Sequence, residues 1–344
     1  MEDKKLNIIV LAGGESGERD VSLESARAIA ASLISTGNSV RIIDTLSGEF
    51  FEESFIHGTE KIASEDYSIP EGAQEKGMEK LIGNLSEARD NGLDVAFNGL
   101  HGGFGENGTF QAIMEFLQIP YTGSPMAASA IAMNKDISKR IMKTLNIPTA
   151  YWKVFESGQQ VVGMVNQIST QFDIPVIIKP VDCGSTVGLS LVEDLGDLAP
   201  AFEKAFGASH QIMAETYYSG QEITIAVLNG LTLPPVEIKP THKLYDYTCK
   251  YTKGKSQYFC PANISDELAD RLSDDASRFY QTIGCRGYAR VDFIVKDVDD
   301  YICLELNTLP GMTELSLFPM AAKEAGISFD ELLVNLCHLA LDKE

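Results

Sequence analysis

Basic residues are scarce in this chain. Its 344 residues carry 28 Lys and Arg against 49 Asp and Glu, a formal net charge of −21. That balance argues against a nucleic-acid binder, which needs basic surface to displace counterions from phosphates. It also requires any anionic ligand to find a locally basic site against a negative background. Cysteine is scarce too. The six (183, 249, 260, 285, 303, 337) show no C-x-x-C spacing and most sit in apolar runs, which fits reduced thiols in the cytosol. Long apolar runs are missing. No stretch approaches the ~20 residues of a membrane span. The early run Leu6–Ala12 ends in Gly13-Gly14, short of a signal-peptide core, so a cytoplasmic protein is the expectation. The glycine loop after that run lacks the G-x-G-x-x-G spacing of a dinucleotide fingerprint. What remains is ordinary: 44% hydrophobic residues, and length for about two or three domains.

The most informative stretch runs from Arg290-Val-Asp292-Phe through a polar turn at 296–300 to Glu305-Leu-Asn307. It reads as two strands joined by a turn. Strand side chains alternate, so Arg290 and Asp292 share a face, as do Glu305 and Asn307. Val291, Phe293, Ile302, Leu304 and Leu306 are expected on the opposite, core-facing side. Hard cations such as Mg²⁺ take oxygen ligands and share them with substrate phosphates. Asp292, Glu305 and Asn307 are therefore candidate metal ligands, and Arg290 a candidate for an oxyanion. On this segment alone, a solvated hairpin face explains the same residues equally well.

Earlier in the chain, Asn7–Ala12 and Ser39–Asp44 read as strands around a helix that runs to about Leu33, with Ser22 as its N-cap. This is a β-loop-α-β unit with its site at the strand's carboxyl end. Glu18 and Asp20 are explained as first-turn charges favoured by the helix dipole. Residues 47–80 are acidic and weakly periodic, and are expected to be a peripheral loop with short helical pieces. The strand Asp94–Asn98 feeds a loop, Gly99–Gly108, holding five glycines around His101 and Glu106. Such glycine density implies close backbone approach to a ligand.

Asn134-Lys135-Asp136 opens a helix. The apolar strand 175–179 ends on Lys179, and an apolar strand that finishes on a charge delivers that charge to a site. Asp182-Cys183-Gly184-Ser185-Thr186-Val187-Gly188 follows. Small residues between two strands make a mobile flap whose N–H groups can close over phosphate. Strands are expected over 211–218 and 220–228, an amphipathic helix over 265–283 and a last helix over 329–341. The aromatic cluster Tyr245, Tyr247, Tyr251 is explained as core packing when taken alone.

In order along the chain, these segments resemble the D-alanine–D-alanine ligases, within the ATP-grasp carboxylate–amine ligases. The motifs are G-G-x-S-x-E-R-D-V-S-L from Gly13, L-H-G-x-x-G-E-N-G from Leu100, M-N-K to Lys135 and K-P-x-x-x-G-S-T-V-G from Lys179. They continue with E-x-Y-x-x-G-x-E-I-T from Glu215, Y-D-Y-x-x-K-Y from Tyr245, and D-x-F from Asp292 with E-x-N-x-x-P-G from Glu305. The likeness covers nearly the whole chain, and Cys183 stands at a position that varies within the family.

The resemblance implies an α/β, three-domain ATP-grasp fold. A Rossmann-like α/β domain over 1–123 would precede two α+β domains, 124–214 and 215–344, that clamp ATP. It implies ATP-driven joining of two D-alanines through an acylphosphate, as a cytoplasmic homodimer that binds neither nucleic acid nor membrane. Glu18, Ser185, Tyr251, Arg290 and Gly311 would be catalytic, with Glu18 on the first substrate's ammonium group. His101, Ser316 and Leu317 would bind substrate, with Glu106 in support. Lys135, Lys179, Ser185, Thr186, Glu215, Tyr217, Tyr218, Glu222 and Lys250 would hold ATP. Two Mg²⁺, with Mn²⁺ as an alternative ion, would sit on Asp292, Glu305 and Asn307. Two other outcomes stay open: an ATP-grasp ligase with a different second substrate such as D-serine, and a non-catalytic ATP-binding homologue. Cys183 in the flap also suggests thiol sensitivity.

Overall fold

The computed structural model describes residues 5–58, 73–240 and 256–342. The first sheet is parallel, in the order β2-β1-β3, from β1 (Asn7–Ala12), β2 (Ser39–Asp44) and β3 (Val95–Asn98). Its centre strand is buried on both faces, which is why it reads as an unbroken apolar run. Helix α1 (Arg19–Ser35) makes the crossover and packs Leu23, Ala26, Ile29, Ala30 and Leu33 on the sheet. It begins earlier than the sequence suggested, and Ser22 is not its N-cap. Glu18 holds the cap position, without a side-chain cap bond. The Ser22 hydroxyl accepts from Gly13 N (2.9 Å) and donates to Gly99 O (2.8 Å), fastening two glycine loops to the helix.

Of the segment 47–80, expected as a peripheral loop with short helical pieces, residues 59–72 lie outside the described residues; a short helix is present, but the described part is not peripheral. Helix α2 (Glu53–His57) buries Phe55 and Ile56 in the first core, and helix α3 (Ala73–Asp90) takes in the end of the segment. Gly77 of α3 meets the backbone of Leu46 so closely that a Cβ would lie 1.8 Å from Leu46 O. Weak periodicity hid this contact because a glycine carries no hydrophobic signal. Helix α4 (Thr109–Leu117) completes this layer.

Helices α5 (Met126–Met133) and α6 (Lys135–Thr144) lead to an antiparallel sheet in the order β4-β7-β5-β6. The side chain of Asn134 caps α6 by accepting from Ile137 N. In chain order the elements are β4 (Trp152–Glu156), α7 (Val161–Gln171), β5 (Val176–Pro180), β6 (Ser190–Val192), α8 (Leu198–Phe206) and β7 (Gln211–Thr216). A separate core around Phe155, Ile178 and Phe202 holds it together.

The largest sheet runs β11-β10-β8-β12-β13, with β9 on β8. Its elements are β8 (Gln221–Leu228), β9 (Leu231–Thr232), β10 (Val236–Pro240), β11 (Ser256–Phe259), α9 (Asp266–Ile283), β12 (Tyr288–Asp297) and β13 (Asp300–Asn307). Helices α10 (Leu317–Glu324) and α11 (Phe329–Leu341) then return to the first core, where Phe318, Leu332 and Leu336 join it.

The β12–β13 hairpin departs from simple alternation. Asp292 pairs with Glu305 but Phe293 pairs with Cys303, so Leu304 is an extra residue in a β-bulge. The bulge flips the faces beyond it. Val291, Phe293 and Leu306 face the core as expected, but Tyr301 and Cys303 join them there. Ile302 and Leu304 instead turn toward Ile294 and Tyr218 on the other side, which overturns their expected core placement.

Candidate active site

The first wall is built by the loops at the carboxyl ends of β1 and β3. Glu18 and His101 are both buried there. His101 Nε2 lies 3.0 Å from Ser25 Oγ, and Ser16 Oγ donates to His101 O at 2.6 Å. Burial lowers the His101 pKa and Glu18 opposes it, so the imidazole is neutral near pH 7. Glu106 accepts from Gly102 N at 2.8 Å. Gly102 has φ 69°, and a Cβ there would fall 2.9 Å from Glu18 Oε2. Glycine is needed at this position both for its backbone and for room beside the carboxylate.

The flap crosses above. Ser185 (φ 50°) and Thr186 (φ 60°) both adopt left-handed backbone, a strain that persists only when surrounding contacts enforce it. Two turn bonds do so, Val187 N to Gly184 O (3.1 Å) and Leu189 N to Thr186 O (3.2 Å). Ser185 Oγ then donates to Glu18 Oε1 at 2.5 Å. Lys135 Nζ donates to Cys183 O at 2.8 Å and lies 3.2 Å from Glu305 Oε2. One ammonium group therefore joins the flap to β13. The Cys183 thiol is pushed up by burial and then by Asp182, which disfavours the reactive thiolate that thiol sensitivity requires.

Behind the flap, Lys179 Nζ contacts Glu215 Oε2 at 2.6 Å, and Lys139 contacts the same carboxylate. Burial alone would raise the Glu215 pKa, but the two ammonium groups hold it at about 2. Tyr217, Tyr218 and Glu222 continue along this wall with Ile294, Ile302 and Leu304.

The floor is the polar face of β12 and β13. Arg290 Nε and Nη2 each donate to Asp292 at 2.9 Å, and Thr224 Oγ1 donates to Asp292 Oδ1 at 2.6 Å. Asp292 and Glu305 are register partners, as are Arg290 and Asn307. Asn307 Oδ1 accepts from Leu309 N at 2.8 Å. Among the described residues, no three or more His, Cys, Asp or Glu side chains gather as a metal cluster. The set here is two carboxylates and one amide oxygen, with Arg290 and Lys135 beside the carboxylates. Such a sparse, all-oxygen set fits Mg²⁺, which keeps other positions for phosphate and water. Gly311 and Ser316 sit at the floor's end, where Ser316 Oγ accepts from Thr313 N at 3.1 Å and precedes the first turn of α10.

These walls enclose two cavities of about 330 and 190 Å³. Lys135, Gly184, Ser185, Arg290 and Glu305 line both. The larger adds Glu18, His101, Glu106, Asn307, Gly311, Ser316 and Leu317, and the smaller adds Lys179, Thr186, Glu215, Glu222 and Asp292. The structure thus brings together every expected site residue that it describes. Lys250 and Tyr251 lie outside the described residues, with Tyr245 and Tyr247.

The sequence matches the family model for the D-ala D-ala ligase N-terminus over residues 7–124 and that for the C-terminus over residues 141–338. The chain belongs to the D-alanine–D-alanine ligase family. A curated D-alanine–D-alanine ligase of Syntrophotalea carbinolica is 40% identical over 336 residues, covering 98% of this chain and 96% of that one. The D-alanine–D-alanine ligase of Bacillus anthracis complexed with ATP superposes with a TM-score of 0.74 at 27% identity, covering 98% of this chain and 97% of that one. The VanG D-Ala:D-Ser ligase of Enterococcus faecalis gives 0.78 at 28%, covering 98% and 100%. The fold is accordingly the ATP-grasp fold, and the chain is a ligase enzyme.

Sequence reasoning missed four residues of this ligase site. Ser25 lies one helical turn after Val21 on the face of α1 that lines the larger cavity. Thr224 shares a strand face with Glu222. Lys139 is one turn beyond Lys135 on the buried face of α6. Each was reachable from periodicity. Tyr258, which also lines the larger cavity, carried no such signal.

Proposed function

We propose that this ligase joins two D-alanines into D-alanyl-D-alanine at the expense of ATP, in the cytoplasm, as a step toward peptidoglycan precursors. The observation that carries the reading is the shared wall. One cavity lined by lysines and an apolar floor adjoins a second lined by a buried carboxylate, a neutral histidine and a helix start. The smaller takes ATP, with adenine against Tyr217, Tyr218, Ile302 and Leu304, ribose hydroxyls on Glu222, and phosphates near Lys135, Lys179 and Thr186; by the family resemblance Lys250 would meet the γ-phosphate.

In the first step a carboxylate oxygen of the first D-alanine attacks the γ-phosphorus, giving an acylphosphate and ADP. Glu18 holds that substrate's ammonium group, and His101 stays neutral beside it. In the second step the amine of the second D-alanine attacks the acyl carbon and phosphate leaves. Arg290 and the Gly311 N–H stabilise the tetrahedral oxyanion. Ser316 and the Leu317 N–H hold the second carboxylate at the start of α10. Asp292, Glu305 and Asn307 would hold Mg²⁺, which when bound supplies positive charge to the phosphate oxygens. The flap, locked by Ser185 on Glu18, excludes water from the acylphosphate, and the family resemblance gives Tyr251 a part in the same set. Domain limits near 123 and 214 and a homodimer belong to the same reading.

The resemblance to a D-Ala:D-Ser ligase gives one competing specificity. Phosphate release with Mg²⁺, ATP and either D-alanine alone or D-alanine plus D-serine, with product masses, separates them. D-alanyl-D-alanine as the main product supports the first reading, and a mixed dipeptide supports the second.

A further inference from the structure

Lys139 lines neither cavity, yet it is a lysine with no exposed surface. Its Nζ contacts the Glu215 carboxylate, donates to Thr149 Oγ1 at 2.6 Å and lies 3.4 Å from Ala150 O. Thr149 Oγ1 in turn donates to Cys303 O at 3.0 Å, on β13 of the largest sheet. Glu215 is on β7 of the four-stranded sheet and passes the contact on to Lys179. A buried ammonium group is costly unless paired and hydrogen-bonded. An apolar residue would fill the same space, so packing alone does not account for a lysine here.

We propose that Lys139 is a positioning residue for the nucleotide half of the cleft: it fixes Glu215, and through it Lys179, and it ties the two clamping sheets together through Thr149. This rests on the nucleotide reading of the smaller cavity. Lys139 touches no substrate; it acts by keeping Lys179 aimed and the sheets in register. Among the described residues, the charged and titratable groups acting on this pair are Lys179 and, beyond Lys139, the Cys303 thiol. Without the Lys139 charge only Lys179 offsets the burial of Glu215, so the Glu215 pKa rises. The carboxylate, held from one side only, no longer fixes Lys179 in place.

The test uses the full-length enzyme and two variants, Lys139→Met and Lys139→Gln. Binding of ADP with Mg²⁺ is measured by titration calorimetry, and KM for ATP, KM for D-alanine and kcat by phosphate release. Both variants are expected to raise the ADP Kd and the KM for ATP about tenfold while KM for D-alanine stays within about twofold. ADP affinity of the variants is expected to fall more steeply than that of the wild type between about pH 8 and pH 5.5. A folded variant with wild-type ADP affinity and wild-type pH slope overturns the inference. So does the failure of both variants to fold, which makes the residue a general stability element. If the wild type itself does not bind ADP, the nucleotide reading fails instead.

Discussion

Ser185 Oγ donates to Glu18 Oε1 at 2.5 Å, joining two residues 167 positions apart in sequence. The bond fastens the flap to the first wall directly over the joint between the two cavities. Removing either partner should open the flap and expose the acylphosphate to water. Ser185→Ala is expected to lower kcat about tenfold and to raise the ratio of phosphate released to dipeptide formed. Glu18→Gln should cost more, about a hundredfold in kcat/KM, because it also removes the substrate's ammonium partner. Parallel phosphate and dipeptide assays check both, and a tight one-to-one ratio in the Ser185 variant contradicts the sealing role.

Asp292 has three donors in place, two from Arg290 and one from Thr224. Asp292→Asn should leave a folded protein with kcat reduced at least about a hundredfold. Thr224→Val leaves the carboxylate but removes one charge-assisted bond, and should cost about tenfold. Far-ultraviolet circular dichroism with turnover assays checks the pair. Equal losses in the two variants would mean that Thr224 does more than orient Asp292.

Two buried groups give the ligase a defined acid sensitivity. His101 has its pKa lowered below 6.5 in the folded state, first by burial. The unfolded chain therefore binds the proton more readily, and stability falls as pH drops below 6.5. Glu215 is held at about 2 against an ordinary 4.5, so its contribution is present above 4.5 and is lost as pH falls toward 2. Denaturant midpoints from pH 8 to 5 should slope downward below about 6.5, and His101→Gln should flatten that slope. An unchanged slope in the variant would place the titration elsewhere.

Gly77 allows α3 to lie against Leu46. A Cβ there would sit 1.8 Å from Leu46 O, a clash that only backbone movement relieves. Gly77→Ala is expected to destabilise the fold by about 2–3 kcal/mol although it improves helix propensity. Chemical denaturation reads this directly, and a stabilised variant would show that α3 packs differently.

Much of the architecture was legible because its signals are local. The helices Asp266–Ile283 and Phe329–Leu341 fall where periodicity put them. The apolar strand that ends on Lys179 does deliver its ammonium group to a cavity. The illegible parts depend on tertiary detail. The bulge at Leu304 arises from strand pairing, so alternation counted from Glu305 placed Ile302 and Leu304 on the wrong face. Ser22 looked like a cap because serine commonly caps, whereas its hydroxyl serves two distant loops. The place of Lys139 on a helix face was within reach of periodicity, but its partner Glu215, 76 positions later, is set only by the fold. Positions 241–255 carry Lys250 and Tyr251, and their part in the site rests on the resemblance alone.

The most direct test of the account is product analysis. The enzyme is mixed with ATP, Mg²⁺ and D-alanine, and the products are identified by mass alongside released phosphate. The account predicts D-alanyl-D-alanine and phosphate in equal amounts, with L-alanine inert. ATP bound but no dipeptide formed, or dipeptide formed only when D-serine is supplied, would contradict it.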